Sequence, residues 1–322
     1  MYIFDETSHT GPSRAAERHG DGKSGKHRRD MRTEQEMFDV ILGAAKSDER
    51  NRAVYMNGSR ANPNAPKDKY QDYDIVFTVT ETAPFIEDKR WILNFGNPLI
   101  VQEPDFIDNA TPWFSEGARH DFTRSYAWLM LFDDGNRVDL GIEIMDETEK
   151  NFPDDKLTIL LLDKDNVLPK IPPPIDEDYY IKKPSNDEFH ACCNEFWWCL
   201  NNVAKGIARD ELPYAMNMYN TVVRDMHDKM VEWHIGADNN FSVSAGKSGK
   251  YFKRFLSPEL YKIYAATYTD SAYGHFWDAI FTACGLFHTL AAHVANYLEL
   301  LYNQDEEDGM LKYLKSVKAD CI

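Results

Sequence analysis

Tyr55-Met56-Asn57-Gly58-Ser59, a gap of twelve residues, then Asp72-Tyr73-Asp74-Ile75-Val76-Phe77 decides the reading of this chain. Residues two apart on a strand share a face. Asp72 and Asp74 would therefore present two carboxylates side by side where the apolar run begins. Like charges that close repel unless something cationic sits between them. Mg²⁺ typically takes one or two carboxylates together with substrate phosphates. Gly58 lets the backbone approach a phosphate closely, and Ser59 offers it donors.

A third carboxylate, Asp139, lies in Arg137-Val138-Asp139-Leu140. That run is the second arm of an expected hairpin: Ser125 to Phe132 and Arg137 to Met145 flank Asp133-Asp134-Gly135-Asn136, a four-residue turn. Three such groups can hold a metal pair about 4 Å apart for an in-line displacement. Glu143 shares a strand face with Asp139 and is a weaker candidate for a general base. Two other D-x-D pairs, Asp163/Asp165 and Asp176/Asp178, border polar or proline-rich loops. Neither has Gly-Ser before it or a strand after it, so they read as chance in an acidic chain.

Outward from this stretch the pattern is mixed, then helical. Residues 1–30 are rich in Gly, Arg, Lys and His without an apolar period and read as a disordered extension or tag. Thr33 with Glu36 makes a capping box, followed by Met37, Val40, Ile41 and Ala44 at helical spacing. Ala53 to Met56, Tyr73 to Thr80, the hairpin arms and Leu157 to Leu162 read as strands. Lys170-Ile171-Pro172-Pro173-Pro174 cannot continue a helix or a central strand. Helical patterns then cover roughly 187–205, 213–235, 258–268, 271–303 and 309–318. The expected organisation is an α/β domain with a mixed sheet and flanking helices over 31–168, a Pro-rich linker over 169–185, and an all-α helical bundle over 186–322.

Composition bounds the chemistry. A net charge of −17 over 322 residues argues against a nucleic-acid partner, which needs Lys and Arg clusters, and suits a cationic ligand. Five cysteines without a C-x-x-C pair give neither a disulfide framework nor a zinc site. Cys192, Cys193 and Cys199 read as reduced core thiols beside Phe196, Trp197 and Trp198. No apolar signal segment opens the chain. The apolar stretch Ile280 to Tyr302 carries His288, His293, Asn296 and Glu299, which favours a buried helix over a membrane span. The expectation is a cytoplasmic protein.

Gly-Ser, a gap, D-x-D and a later isolated Asp within an apolar run together resemble the polymerase-beta-like nucleotidyltransferase superfamily. Met31-Arg-Thr-Glu-Gln-Glu-Met-Phe, Tyr55-Met-Asn-Gly-Ser-Arg and Asp68-Lys-Tyr-Gln-Asp-Tyr-Asp-Ile-Val further resemble the aminoglycoside 6-adenylyltransferases that inactivate streptomycin. Asn194-Glu-Phe-Trp-Trp, Ala204-Lys-Gly-Ile-Ala-Arg-Asp-Glu, Glu232-Trp-His-Ile-Gly and Phe241-Ser-Val-Ser-Ala-Gly-Lys-Ser-Gly-Lys-Tyr carry the same resemblance. It runs from Met31 almost to the C-terminus. It implies ATP with Mg²⁺ and transfer of AMP to a streptomycin hydroxyl. By motif, Asp72 and Asp74 would be metal ligands, Asp139 a third ligand or the general base, and Gly58 and Ser59 phosphate contacts. Arg60, in the same motif, and Lys205 are cationic candidates for the nucleotide, with Arg209, Lys247 and Lys250 as further partners for a triphosphate.

Streptomycin carries guanidinium groups, which carboxylates bind through charge-assisted hydrogen bonds. Glu188, Glu195, Asp210, Glu211, Asp225 and Glu232 are therefore acceptor candidates. Glu195 and Glu232 stand out because Trp197, Trp198 and Trp233 lie close by in sequence. Trp198 is the expected cleft-lining aromatic. Two features are set aside. Gly20-Asp-Gly-Lys-Ser-Gly-Lys-His27 nearly spells a phosphate loop but lacks its Ser/Thr and a preceding strand. His288 and His293 are five apart on one helix, a poor ligand spacing, and read as satisfied core histidines. Alternative acceptors are a lincosamide or a protein hydroxyl. A non-catalytic nucleotide sensor is disfavoured because all three carboxylates are present.

Overall fold

Alternation of apolar and polar residues on Tyr73–Val79 and Arg137–Ile144 builds the centre of a six-stranded sheet. The structure, a computed structural model, describes residues 30–111, 119–153 and 155–321. The strands are β1 (Asn51–Asn57), β2 (Tyr73–Val79), β3 (Pro98–Gln102), β4 (Ser125–Phe132), β5 (Arg137–Ile144) and β6 (Ile159–Asp163). Their order is β3-β4-β5-β2-β1-β6. Among the described strands only β2 and β5 pair in parallel, so the sheet is mixed. The β4–β5 hairpin closes through Asp133–Asn136, with Gly135 at φ 94° and the Phe132 N–H donating to the Asn136 carbonyl at 2.9 Å.

Helix α1 (Glu34–Ser47) starts at the Thr33/Glu36 capping box. Met37, Ile41 and Ala45 recur every four residues, and all three are buried in one core with Ile75, Phe77, Val138 and Leu140. Burying a side chain such as Phe77 stabilises the fold by about 1.5–3 kcal/mol. The core takes the face of β2 and β5 that carries Tyr73, Ile75, Val138 and Leu140. The polar residues between them are turned to the other side.

Four helices dominate the second half: α2 (Asn186–Ala208), α3 (Arg224–Asp238), α4 (Tyr273–Leu298) and α5 (Gln304–Asp320). Helix α2 has its own capping box, Ser185 with Glu188. A helical turn, Leu212–Asn217, and a π-helical stretch, Met218–Val223, lead directly into α3. Phe196 of α2 stacks on Phe287 of α4 at 3.8 Å between centroids. Helix α4 is long and apolar enough by composition to cross a membrane. Its Phe276, Ile280, Phe287, Leu290 and Val294 are fully buried against the neighbouring helices, as a core helix requires. Cys192, Cys193, Cys199 and Cys284 are buried thiols, with burial pushing Cys192 up to about 12.

Three details differ from the expected pattern. The helix expected to reach residue 303 stops at Leu298, because Glu299 turns left-handed at φ 56° and the Leu300 N–H folds back onto the Ala295 carbonyl. The last helix then starts at Gln304 instead of near 309. Strand β3 was not expected; it is an edge strand with Leu99 and Ile100 largely exposed, so it lacks a half-buried alternation. The N-terminal extension up to residue 29, with the phosphate-loop-like Gly20–His27, lies outside the described residues.

Candidate active site

Asn57, the last residue of β1, is the register partner of Asp74 on β2. Gly58 follows at φ +76° and lies directly against the Asp74 side chain. A Cβ there would overlap Asp74 Oδ2 and stand 2.8 Å from its carboxyl carbon. Glycine thus serves both the backbone angle and the approach. Across the parallel pair Asp74 is opposite Asp139, so the two carboxylates share the face of the sheet away from the core. Asp72 joins them from the residue pair ahead.

Burial first, then Asp139 and Asp72, raise the Asp74 carboxyl to about 6. Asp72 is also raised, chiefly by burial, with Arg137 opposing. Three crowded carboxylates in partial burial favour a cation among them. In the structure that cation is a guanidinium. Arg137 donates from Nε and Nη2 to the two oxygens of Asp139 at 2.7 and 2.6 Å, and its Nη1 lies 3.5 Å from Asp72 Oδ2. Sequence reasoning passed over Arg137. The signal was there: Arg137 and Asp139 are two apart on a strand and therefore share a face. All-oxygen donors, two of them already bridged by a positive group, are the chemistry that holds a hard divalent cation.

Ser59, Asp72, Lys250 and Tyr251 line a cavity of about 330 Å³. Lys250 adds a minor positive contribution at both Asp72 and Asp74. Lys250 belongs to the loop Gly246–Lys250, where Gly246, Ser248 and Gly249 all have left-handed φ values of 71°, 54° and 71°. Gly246, Lys247 and Ser248 border a second, larger cavity of about 1030 Å³. One loop therefore separates the carboxylate site from the larger chamber.

That chamber is lined by Glu188 and Glu195 of α2, by Lys229, Glu232 and Trp233 of α3, and by Lys182 and Lys183 from the connecting segment. Its volume matches that of a small-molecule pocket. Glu232 pairs with Lys229 at 2.7 Å, Glu195 accepts from the Cys199 thiol at 3.2 Å, and Glu188 is engaged in its capping box. The structure thus brings Glu195 and Glu232 to one cavity.

Other expected residues stand elsewhere. Trp198 is 64% exposed, one turn beyond Glu195 on α2 and outside the chamber lining. Trp233, 7% exposed, is the tryptophan that lines it. Arg60 stacks on the Tyr73 ring at 3.8 Å, pairs with Glu34 at 3.0 Å and donates to the Gln71 and Asp72 carbonyls. Tyr73 is on the core face, so Arg60 braces the backbone of Asp72 from behind. Lys205 is exposed and donates to Asn201 at 2.7 Å; Arg209, the C-cap of α2, is exposed too. Asp210 accepts from the Tyr273 hydroxyl at 2.8 Å, and Glu211 and Asp225 are solvent-facing. Glu143 is held by the Tyr55 and Thr148 hydroxyls at 2.8 and 2.6 Å.

The other D-x-D pairs have structural partners. Asp163 accepts from the N–H groups of Asp165 and Leu168, and Asp165 pairs with Arg52. Asp176 accepts from Asn62 and Asn64, tying the proline-rich connector to the loop after Gly58-Ser59, and Asp178 pairs with Lys156. Neither His288 nor His293 is a core residue; their side chains are 43% and 39% exposed. His288 bonds Glu307 at 2.7 Å, and His293 meets a histidine of a different helix.

Residues 31–317 match the family model described as streptomycin adenylyltransferase. The chain is 37% identical over 292 residues to an aminoglycoside 6-adenylyltransferase of Bacillus subtilis (strain 168), covering 89% of this chain and 98% of that protein. It is 38% identical over 272 residues to one from Campylobacter jejuni, covering 84% and 91%. A crystal structure of an aminoglycoside 6-adenyltransferase from Bacillus subtilis aligns over 89% of this chain and 99% of that one, at 32% identity and a TM-score of 0.43. The chain is a nucleotidyltransferase and belongs to the streptomycin adenylyltransferase family.

Proposed function

We propose that the protein transfers AMP from ATP to a hydroxyl of an aminoglycoside, with streptomycin as the acceptor and Mg²⁺ as the metal. The observation that carries the reading is the convergence of Asp72, Asp74 and Asp139 beside the Gly58-Ser59 turn, one loop away from a chamber containing Glu195 and Glu232.

Asp72, Asp74 and Asp139 would hold Mg²⁺, and Arg137 would be released from between them. When bound, the ion supplies positive charge to phosphate oxygens and to the developing charge of the displacement. The chain's own groups do the rest. The Gly58 and Ser59 turn gives the phosphates a close backbone surface and a hydroxyl donor. Lys250, lining the small cavity, and the released Arg137 offer cationic partners to the departing pyrophosphate. The acceptor hydroxyl oxygen attacks the α-phosphorus while the bond to the pyrophosphate oxygen breaks. An Asp139 carboxylate oxygen is the candidate to take the hydroxyl proton. General base catalysis of this kind contributes about 10²–10⁴-fold. Glu195 and Glu232 are suited to the guanidinium groups of the acceptor, with Lys229 giving up Glu232 to them.

The test is pyrophosphate release from ATP and Mg²⁺, with streptomycin, with other aminoglycosides, with a lincosamide and without acceptor. Release that depends on streptomycin is expected, and Asp72→Ala should abolish it. Release with the lincosamide alone, or full activity in Asp72→Ala, would overturn the proposal.

A further inference from the structure

His234 and Asp238 are four apart on α3 and so share a helix face. Opposite them on α4 stands His293. The Nδ1 atoms of the two imidazoles lie 3.0 Å apart. Their Nε2 atoms both turn to Asp238, at 3.5 Å from His234 to Oδ2 and 3.3 Å from His293 to Oδ1. One ligand atom from each residue falls within 4.8 Å of the others. Ligands about 2.0–2.1 Å from a tetrahedral ion stand roughly 3.4 Å apart, so three donors within 4.8 Å need only small side-chain adjustments to close on one ion.

We infer that His234, Asp238 and His293 form a site for a transition-metal dication of the Zn²⁺ class that fastens α3 to α4. Two imidazoles and one carboxylate suit Zn²⁺, Co²⁺ or Ni²⁺, not Mg²⁺, which prefers oxygen donors. Three protein ligands leave a position for water, and the half-exposed Asp238 gives the ion a way in. The site backs onto the larger chamber: Glu232 and Trp233, which line that chamber, immediately precede His234 on α3. Occupancy would therefore fix the helix that carries Glu232. The inference is independent of the acceptor reading, because it rests on ligand geometry alone.

The experiment titrates chelator-stripped, full-length protein with Co²⁺, followed by its visible d–d absorption, and then displaces it with Zn²⁺. One equivalent per chain and a Zn²⁺-dependent rise in unfolding temperature are expected. His234→Gln, His293→Gln and the surface variant Asp238→Asn should each weaken Co²⁺ binding by about 100-fold or more, at or beyond the upper end of what loss of a partner behind a ligand costs. His288→Gln and the Asp72→Asn/Asp74→Asn double variant should keep it, which separates this site from the neighbouring histidine and from the carboxylates. Circular dichroism confirms that each variant is folded. Absence of a stoichiometric equivalent in the wild type, equal loss in His288→Gln, or retention in both His234→Gln and His293→Gln would overturn the inference.

Discussion

Gly58 and Asp74 are packed so closely that a single methyl group on Gly58 would occupy the place of a carboxylate oxygen. The contact follows from register: Asn57 and Asp74 are paired across β1 and β2, and the chain turns at once. Gly58→Ala must therefore move Asp74 or the turn, at a φ that also disfavours alanine. A shift of about 1 Å in a reacting group can cost about 100-fold in rate. We expect kcat/KM for pyrophosphate release to fall by at least about that factor. The backbone strain should add about 1–3 kcal/mol of destabilisation, read by denaturant unfolding.

Asp74 carries a pH signature. Its folded value of about 6 lies above the ordinary 3.8, so the native state holds the proton more tightly than the unfolded chain does. Stability from that difference is fully present below about pH 4 and lost as pH rises through about 6. Above pH 6 the charged group costs the metal-free fold on the order of 3 kcal/mol. Asp74→Asn should thus unfold at a higher temperature than wild type at pH 8 without Mg²⁺, and the advantage should vanish near pH 4. Wild-type activity at limiting Mg²⁺ should fall as pH drops through about 6, because a protonated Asp74 is a poor metal ligand. An Asp74→Asn advantage over wild type that is no larger at pH 8 than at pH 4 would refute the assignment of strain to this carboxylate.

Arg137 is the metal-free counter-charge. It grips Asp139 with two hydrogen bonds and reaches toward Asp72. Its removal leaves three neighbouring carboxylates facing one another. Because the pair is partly exposed, Arg137→Ala should cost only about 1 kcal/mol. That cost should shrink in millimolar Mg²⁺ or at low pH, where another cation or protons take over. Thermal unfolding with EDTA against Mg²⁺ checks this; a loss of the same size in both would assign Arg137 a plain packing role.

The three carboxylates were legible because Asp74 and Asp139 sit on strands, with Asp72 just ahead of β2, and a period of two fixes the face each strand residue takes. Asp72, Asp74 and Asp139 needed one further fact, that β2 and β5 are parallel neighbours, which the fold supplies and the hairpin turn, joining β5 to β4, does not. Arg60 was misleading for the same reason that Gly58 was informative. Both flank Ser59, but Arg60 emerges from the one-turn helix Gly58–Ala61 toward the core side, where Tyr73 and Glu34 hold it. Local sequence does not say on which side of the sheet a turn residue lands.

The helical half was legible as helices and less so as a cavity. Spacing along α2 could not show where the chamber ends, so Trp198 and Glu195 looked equivalent although only Glu195 lines it. Contacts between helices were hidden entirely. His293 was weighed against His288 on its own helix, whereas its partners, His234 and Asp238, come from α3. Packing of distant segments, not periodicity, brings such groups together.

The acceptor assignment makes the sharpest contrast. Glu195 and Glu232 line one chamber, and a hydrogen bond to a charged group is worth about 1.5–3 kcal/mol. Glu195→Gln and Glu232→Gln keep the shape and remove the charge, so each should lower kcat/KM for streptomycin by about 10- to 100-fold, mostly through KM. The KM for ATP should hardly move, because Asp72, Asp74 and Asp139 lie beyond the Gly246–Lys250 loop. Glu232→Gln also frees Lys229, whose ammonium then repels a cationic acceptor, so this variant should be the weaker of the two. Trp198→Ala, on the exposed turn past the chamber, should stay within about twofold of wild type, as surface changes usually do. Steady-state kinetics with streptomycin varied at saturating ATP reads all three. An unchanged acceptor KM in both Glu variants, or a large rise in Trp198→Ala, would move the acceptor out of this chamber and onto the exposed face of α2.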